Sequence, residues 1–202
     1  MKDKTLEYYE QNALEFCENT INADMSKQYQ MFLNYMPQGG TILDLGCGSG
    51  RDTKAFMALG YSVVAIDGSQ SLCRLASAYT GQEVQCKSFD ELNDIAAFDG
   101  IWACASLLHI KKRDMLGMLQ RLSTALKKDG ILYTSFKYGK TERAEQMRFY
   151  NDYTEKELDG LFCRESGLEC IEWSVTADAR ADRQDKWLNA ISRKRDTDKC
   201  NF

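Results

Sequence analysis

The sequence predicts an α/β fold, a mostly parallel sheet with helices on both faces. Three observations lead to it. Short apolar runs alternate with helical-period segments from residue 41 to residue 136. The first run ends in "GCGSG", three glycines in five positions. The second ends in an acidic residue, Asp67, 21 residues after Gly46.

The elements run in chain order. Tyr29, Phe32, Leu33 and Met36 recur at helical spacing, and Pro37, the only proline, separates that helical region from the first strand. Thr41 to Leu45 is a short buried strand running into the glycine loop. Residues 52 to 59 read as a helix with Ala55, Phe56 and Leu59 on one side and Gly60 as its stop. Ser62 to Asp67 is a second strand, Ser71 to Tyr79 a helix, Glu83 to Lys87 a third strand and Ile101 to Ala105 a fourth. From Asp114, apolar Met115, Met118, Leu119, Leu122 and Leu126 define the longest helix. Gly130 then precedes a fifth strand, Ile131 to Phe136. Thr154 opens "TEKE", a capping box for a further helix. Leu168 to Val175 and Lys186 to Ser192 are the last two strands.

Composition narrows the class. The 202 residues are 44% hydrophobic and 28% charged, which suits one domain with a sizeable core. A net charge of −4 speaks against a basic nucleic-acid face. The eight cysteines, at 17, 47, 73, 86, 104, 163, 170 and 200, form no Cys-x-x-Cys pair, and there is one histidine, so no metal site is expected. The polar "MKDKTLEYYEQ" start lacks the core of a signal peptide, and no stretch is apolar enough to span a bilayer. The expectation is a cytoplasmic chain with reduced thiols and no membrane partner.

The glycine loop discriminates among ligands. A phosphate loop needs Gly-Lys-Ser/Thr, but this one ends Gly50-Arg51-Asp52. A dinucleotide fingerprint needs G-x-G-x-x-G, and Arg51 stands where the third glycine belongs. Asp44, two residues before Gly46, repels a pyrophosphate and suits a cation. Asp67 can accept hydrogen bonds from both hydroxyls of a ribose. A ribose, a cationic group and no phosphate describe S-adenosylmethionine (SAM).

At these residues the sequence resembles the class I SAM-dependent methyltransferases of the small methyltransferase-domain type. "ILDLGCGSGRDT", "VVAIDGS", "FDGIWACASLLHI" and "LKKDGILYTSF" resemble four of that family's motifs, in order. The resemblance implies a Rossmann-like three-layer sandwich whose seven-stranded, mostly parallel sheet ends in an antiparallel strand. It implies one domain over 1–202: an N-terminal helical cap (1–37), a SAM-binding core (38–136), and an acceptor-side excursion with a C-terminal hairpin (137–202). It further implies that Asp44, Gly46, Cys47 and Gly48 hold the methionine end of SAM, that Asp67, Gly68 and Ser69 hold the ribose, that Ser88, Phe89 and Asp90 flank the adenine, and that Ala105 closes the fourth strand beside the cofactor. Many relatives have an acid where Ser88 stands. "YYEQNALEF" resembles a segment that closes over SAM, with Tyr9, or its neighbour Tyr8, as the cap.

The acceptor is read from the residues around that frame. His109, just past the fourth strand, is the candidate general base; the competing reading is a structural histidine capping the loop. Cys47 and Cys104 read as small space-fillers rather than catalytic thiols. The Asp/Asn-Pro-Pro-Tyr/Phe and Pro-Cys signatures of nucleic-acid methylation are absent after the fourth strand, so a small-molecule acceptor is expected. Arg148, with Arg180 and Arg183 in "TADARADRQD", would suit an anionic one, unless Asp178, Asp182 and Asp185 balance those arginines as solvated loop charge. Two other readings stay open: methylation of a metalloid oxyanion, and a SAM-binding regulator without transfer activity. Oligomeric state has no signal in the sequence.

Overall fold

The computed structural model describes residues 4–162, 165–180 and 183–195. Cys163, Cys200 and Asp182 of the sequence reading lie outside them. Three helices come first, α1 (Lys4–Gln11), α2 (Ala13–Thr20) and α3 (Ser26–Leu33). The alternating core comes next: β1 (Thr41–Leu45), α4 (Arg51–Ala58), β2 (Ser62–Asp67), α5 (Gln70–Thr80), β3 (Val84–Cys86), β4 (Phe98–Ala103), α6 (Lys112–Ala125) and β5 (Leu126–Lys137). A small hairpin, β6 (Glu142–Glu145) and β7 (Arg148–Asn151), leads to α7 (Glu155–Phe162), β8 (Leu168–Ala177) and β9 (Lys186–Lys194).

The main sheet has seven strands in the order β3-β2-β1-β4-β5-β9-β8. β1 through β5 pair in parallel, while β9 is antiparallel to both of its neighbours. The sheet therefore has the predicted make-up. Winding reverses between β1 and β4, and a crevice opens there beyond the strands' carboxyl ends.

Period-two alternation sorts the core into two faces. Leu43, Ile101 and Leu132 pack with Met115, Leu119 and Leu122 of α6. Their neighbours Ile42, Trp102, Ile131 and Tyr133 pack with Phe32 of α3 and Phe56 of α4. Trp102 and Tyr133, paired across β4 and β5, stack with ring centroids 3.8 Å apart. Both are fully buried, so each contributes roughly 2–3 kcal/mol of apolar transfer.

Caps explain where the helices stop. Ser69 accepts the Leu72 N–H at 3.2 Å to open α5, and Gly81, at φ +79°, closes it. At α7 half of the expected capping box forms: the Glu157 carboxylate accepts the Thr154 N–H and also the Thr154 hydroxyl. Two strands of the core show the reasons for shifted bounds most clearly. β4 begins at Phe98 and ends at Ala103, because the chain turns at Ala105, whose φ is +50°. β5 begins at Leu126, before Gly130: pairing with β4 jumps from Phe98–Leu126 to Gly100–Ile131, so "KKDG" is a bulge within the ladder rather than a stop before it.

Candidate active site

The glycine loop forms one wall of the crevice. The Gly46 and Cys47 N–H groups both donate to the Ile66 carbonyl, which turns the loop over the end of β2. Gly46 has φ +76° and Gly48 φ +55°, conformations that strain other residues. Side chains there would also collide: a Cβ on Gly46 would stand 2.7 Å from Ser106 Cβ, and one on Gly48 2.9 Å from Phe16. At these two positions the loop thus brings main chain, rather than side chain, against the cavity.

Asp67 ends β2 at the same wall. One carboxylate oxygen accepts the Gly48 N–H at 3.0 Å and the other the Ser69 N–H at 2.9 Å. Burial pushes its pKa up, against the pull of these hydrogen bonds. Glu10 of α1 ties the cap to the same region, accepting from the Ser69 and Ser71 hydroxyls at 2.7 Å and from the Ser71 N–H at 3.0 Å.

The cavity has a volume of about 1080 Å³, at or above the upper end for single-ligand pockets, which leaves room for two ligands side by side. Tyr9, Gly46, Cys47, Gly48, Asp67, Gly68, Ser88, Phe89, Asp90, Ala105 and His109 line it, as do Arg148, Arg180 and Arg183. The structure places two expected cofactor residues elsewhere. Asp44 lies beneath the loop, 2% exposed and accepting from Thr53 Oγ1 at 2.6 Å. Burial, with Asp52 nearby, pushes its carboxyl far above the usual range. Ser69 is held as the α5 cap and as a donor to Glu10.

His109 sits in a short 3-10 turn after β4, its ring between two partners. Nδ1 lies 2.6 Å from the Phe149 carbonyl and Nε2 2.9 Å from the Tyr9 hydroxyl. A carbonyl can only accept, so Nδ1 carries the proton. In the neutral ring Nε2 then accepts from Tyr9. Burial raises the Tyr9 pKa well above its ordinary value, so the phenol stays protonated at neutral pH. Burial also pushes the Cys104 thiol up to about 12 and the Cys47 thiol well above its usual range, which fits space-filling rather than nucleophilic thiols.

Sequence reasoning missed Arg51, which lines the cavity beside the glycine loop. It pairs with Asp52 through two contacts, at 2.6 and 2.9 Å, and Asp52 also accepts from the Tyr29 hydroxyl at 2.5 Å and from Trp102 Nε1 at 2.8 Å. A signal was present. A cation at the first turn of a helix opposes the helix dipole and calls for a reason.

Comparison with known proteins agrees with this layout. A family model described as a methyltransferase domain matches residues 42–130, the span that builds the loop, Asp67 and the walls of the crevice. Over this span the chain is similar to methyltransferase domains. An uncharacterized methyltransferase of Staphylococcus carnosus is 25% identical over 158 residues, 73% of this chain and 75% of that protein. Among solved structures, the 1,6-didemethyltoxoflavin-N1-methyltransferase of Burkholderia thailandensis, with 1,6-didemethyltoxoflavin and S-adenosylhomocysteine bound, superposes with a TM-score of 0.78 at 23% identity, covering 95% of this chain and 87% of that one. The [4+2]-cyclase SpnF superposes at 0.69 with 17% identity, covering 93% and 94%. At such identities these likenesses establish the methyltransferase fold.

Proposed function

We propose that this methyltransferase binds SAM along the glycine loop and β2 and transfers its methyl group to a small-molecule acceptor held beneath the hairpin and the β8–β9 turn. One observation carries the reading: a single cavity joins the glycine loop and the buried Asp67 to His109 and to the β8–β9 turn. The donor set fits the cofactor. Asp67 takes the ribose hydroxyls, the Gly46–Gly48 main chain and Arg51 take the amino-acid end, and Ser88, Phe89 and Asp90 flank the base. Asp44 braces the loop from beneath through its hydrogen bond from Thr53 rather than as a direct contact.

When bound, SAM supplies a methyl group already activated on a sulfonium. The protein's task is then alignment and, for a hydroxyl acceptor, removal of a proton. His109 has both ring nitrogens engaged, so the Tyr9 hydroxyl is its face toward the acceptor. The acceptor's proton passes to Tyr9 Oη as Tyr9 gives its own to His109 Nε2. The six described free cysteines suit a reducing cytoplasm.

The competing reading is SAM binding without transfer; it is kept because a fold neighbour is named for a cyclisation. The test is S-adenosylhomocysteine (SAH) release from SAM across a panel of phenols, hydroxy acids, amines and tellurite, with calorimetric SAM binding alongside. Binding with turnover of an organic acceptor supports the proposal. Turnover of tellurite alone moves it to metalloid chemistry. Binding without turnover favours the regulator, and no binding removes the cofactor assignment.

A further inference from the structure

The cations lining the cavity differ in how they are neutralised. Arg180 is gripped by Asp178, Nε to Oδ1 at 2.9 Å and Nη2 to Oδ2 at 2.8 Å. Asp178 also accepts from Trp187 Nε1 at 3.0 Å. Lys137 pairs with Asp185 at 2.9 Å, and Arg51 with Asp52. Arg148 makes no ion pair among the described residues. One polar contact is Gln146 Oε1 at 3.2 Å, and its guanidinium carbon lies 4.2 Å from the Tyr8 ring centre and 5.3 Å from that of Tyr150. Its Nε is buried with no hydrogen-bond partner. Such a group is costly to bury, and ring faces offset only part of that.

Location gives this cation a use. Arg148 begins β7, one residue before the Phe149 carbonyl that holds His109, and it lies close enough to Tyr9 to interact with its hydroxyl. Guanidinium, phenol and imidazole therefore converge on one part of the cavity. A planar fork matches a carboxylate through two parallel hydrogen bonds, and a single positive charge matches a single negative one. The flanking tyrosine rings favour an organic body over a bare inorganic ion.

We propose that Arg148 is the anion-binding residue of the acceptor site, and that the acceptor is an organic carboxylic acid whose carboxylate rests on this guanidinium while its nucleophile faces Tyr9. This rests on the SAM reading above. It also prefers Arg148 to Arg180, because Arg180 already has its carboxylate.

The test uses benzoate as probe and benzamide as its uncharged counterpart. Each is titrated into SAH-saturated protein by calorimetry, with the ring signals of the sole histidine as a second readout. Benzoate is expected to bind at least tenfold more tightly than benzamide and to move the His109 signals. Arg148→Gln is expected to weaken benzoate tenfold or more while SAH affinity stays within twofold. If that variant does not fold, Arg148→Lys, which keeps the charge and loses the fork, is expected to weaken benzoate at least threefold. Equal binding of the two probes, undiminished benzoate binding in the variant, or absence of benzoate binding overturns the proposal. So does a benzoate loss in Arg180→Gln as large as that in Arg148→Gln, which would move the site to the β8–β9 turn. A tenfold loss of SAH affinity in Arg148→Gln also overturns it, by assigning the arginine to the cofactor. Failure of wild-type protein to bind SAH at all defeats the underlying cofactor reading and is seen before any probe is added.

Discussion

Each carboxylate oxygen of Asp67 already accepts one main-chain N–H, which leaves lone pairs for a ligand and fixes the carboxylate in place. Asp67→Ala is therefore expected to weaken SAM binding by roughly 1–3 kcal/mol, the range for hydrogen bonds to a charged group. Calorimetry at matched folded fraction measures it, and unchanged affinity would remove Asp67 from the ribose role. His109 allows an equally local test, because it is the only histidine and its imidazole gives a single spin system. Nitrogen-15 spectra are expected to show Nδ1 protonated and Nε2 pyridine-like in the neutral ring. Tyr9→Phe should shift Nε2 and leave Nδ1 nearly still, since the Phe149 contact remains. An Nε2–H tautomer would contradict the relay. Chemistry local to the chain was legible at this scale: the spacing of Gly46, Gly48 and Asp67 points to their shared wall. Arg51 with Asp52, and Trp102 reaching Asp52 across 50 residues, belong to tertiary packing that no local pattern records.

Among the elements, α1 is held to the start of α5 through Glu10, whose pKa is lowered to about 2 by hydrogen bonds from Ser71 and Ser69. A depressed carboxylate contributes stability that is fully present above its ordinary value of about 4.5 and is lost as pH falls toward 2. The Ser71 amide resonance should accordingly titrate with a midpoint near 2. Glu10→Gln should abolish that titration and loosen α1 at neutral pH. A midpoint near 4.5 in the wild type would mean that the clasp does not form. β1 and β2 were read to the residue because each is a short apolar run bounded by glycine or polar residues. The β6–β7 hairpin was not. Its turn places Gln146 and Met147 at φ +49° and +67°, where glycine or asparagine is the usual signal, and "ERAE" carries no apolar alternation. The same holds for the start of β5, where "KKDG" has the composition of a turn but bulges within a strand.

At the scale of the whole molecule, ligand binding should appear as stability. SAH at a hundredfold excess over its Kd adds about 2.7 kcal/mol to the folded state. For a chain of this size that raises Tm by roughly 5–10 °C. NADH at equal concentration should leave Tm unchanged, because Arg51 replaces the third glycine of a dinucleotide loop. A shift with NADH would reopen that reading, and no shift with SAH would count against the cofactor site. The overall architecture was legible because strand–helix alternation allows few topologies. The roof over the cavity was not, since it joins segments more than a hundred residues apart.

The main chain of Phe149 is where that roof is fastened. Its N–H donates to Thr5 of α1 at 3.1 Å, and its carbonyl holds the ring of His109. One residue thus serves both as a latch to α1 and, in the proposed mechanism, as the brace of the imidazole. If the proposed function holds, lifting Phe149 away from α1 would also free the imidazole, so opening of the roof and placement of the base would be one event.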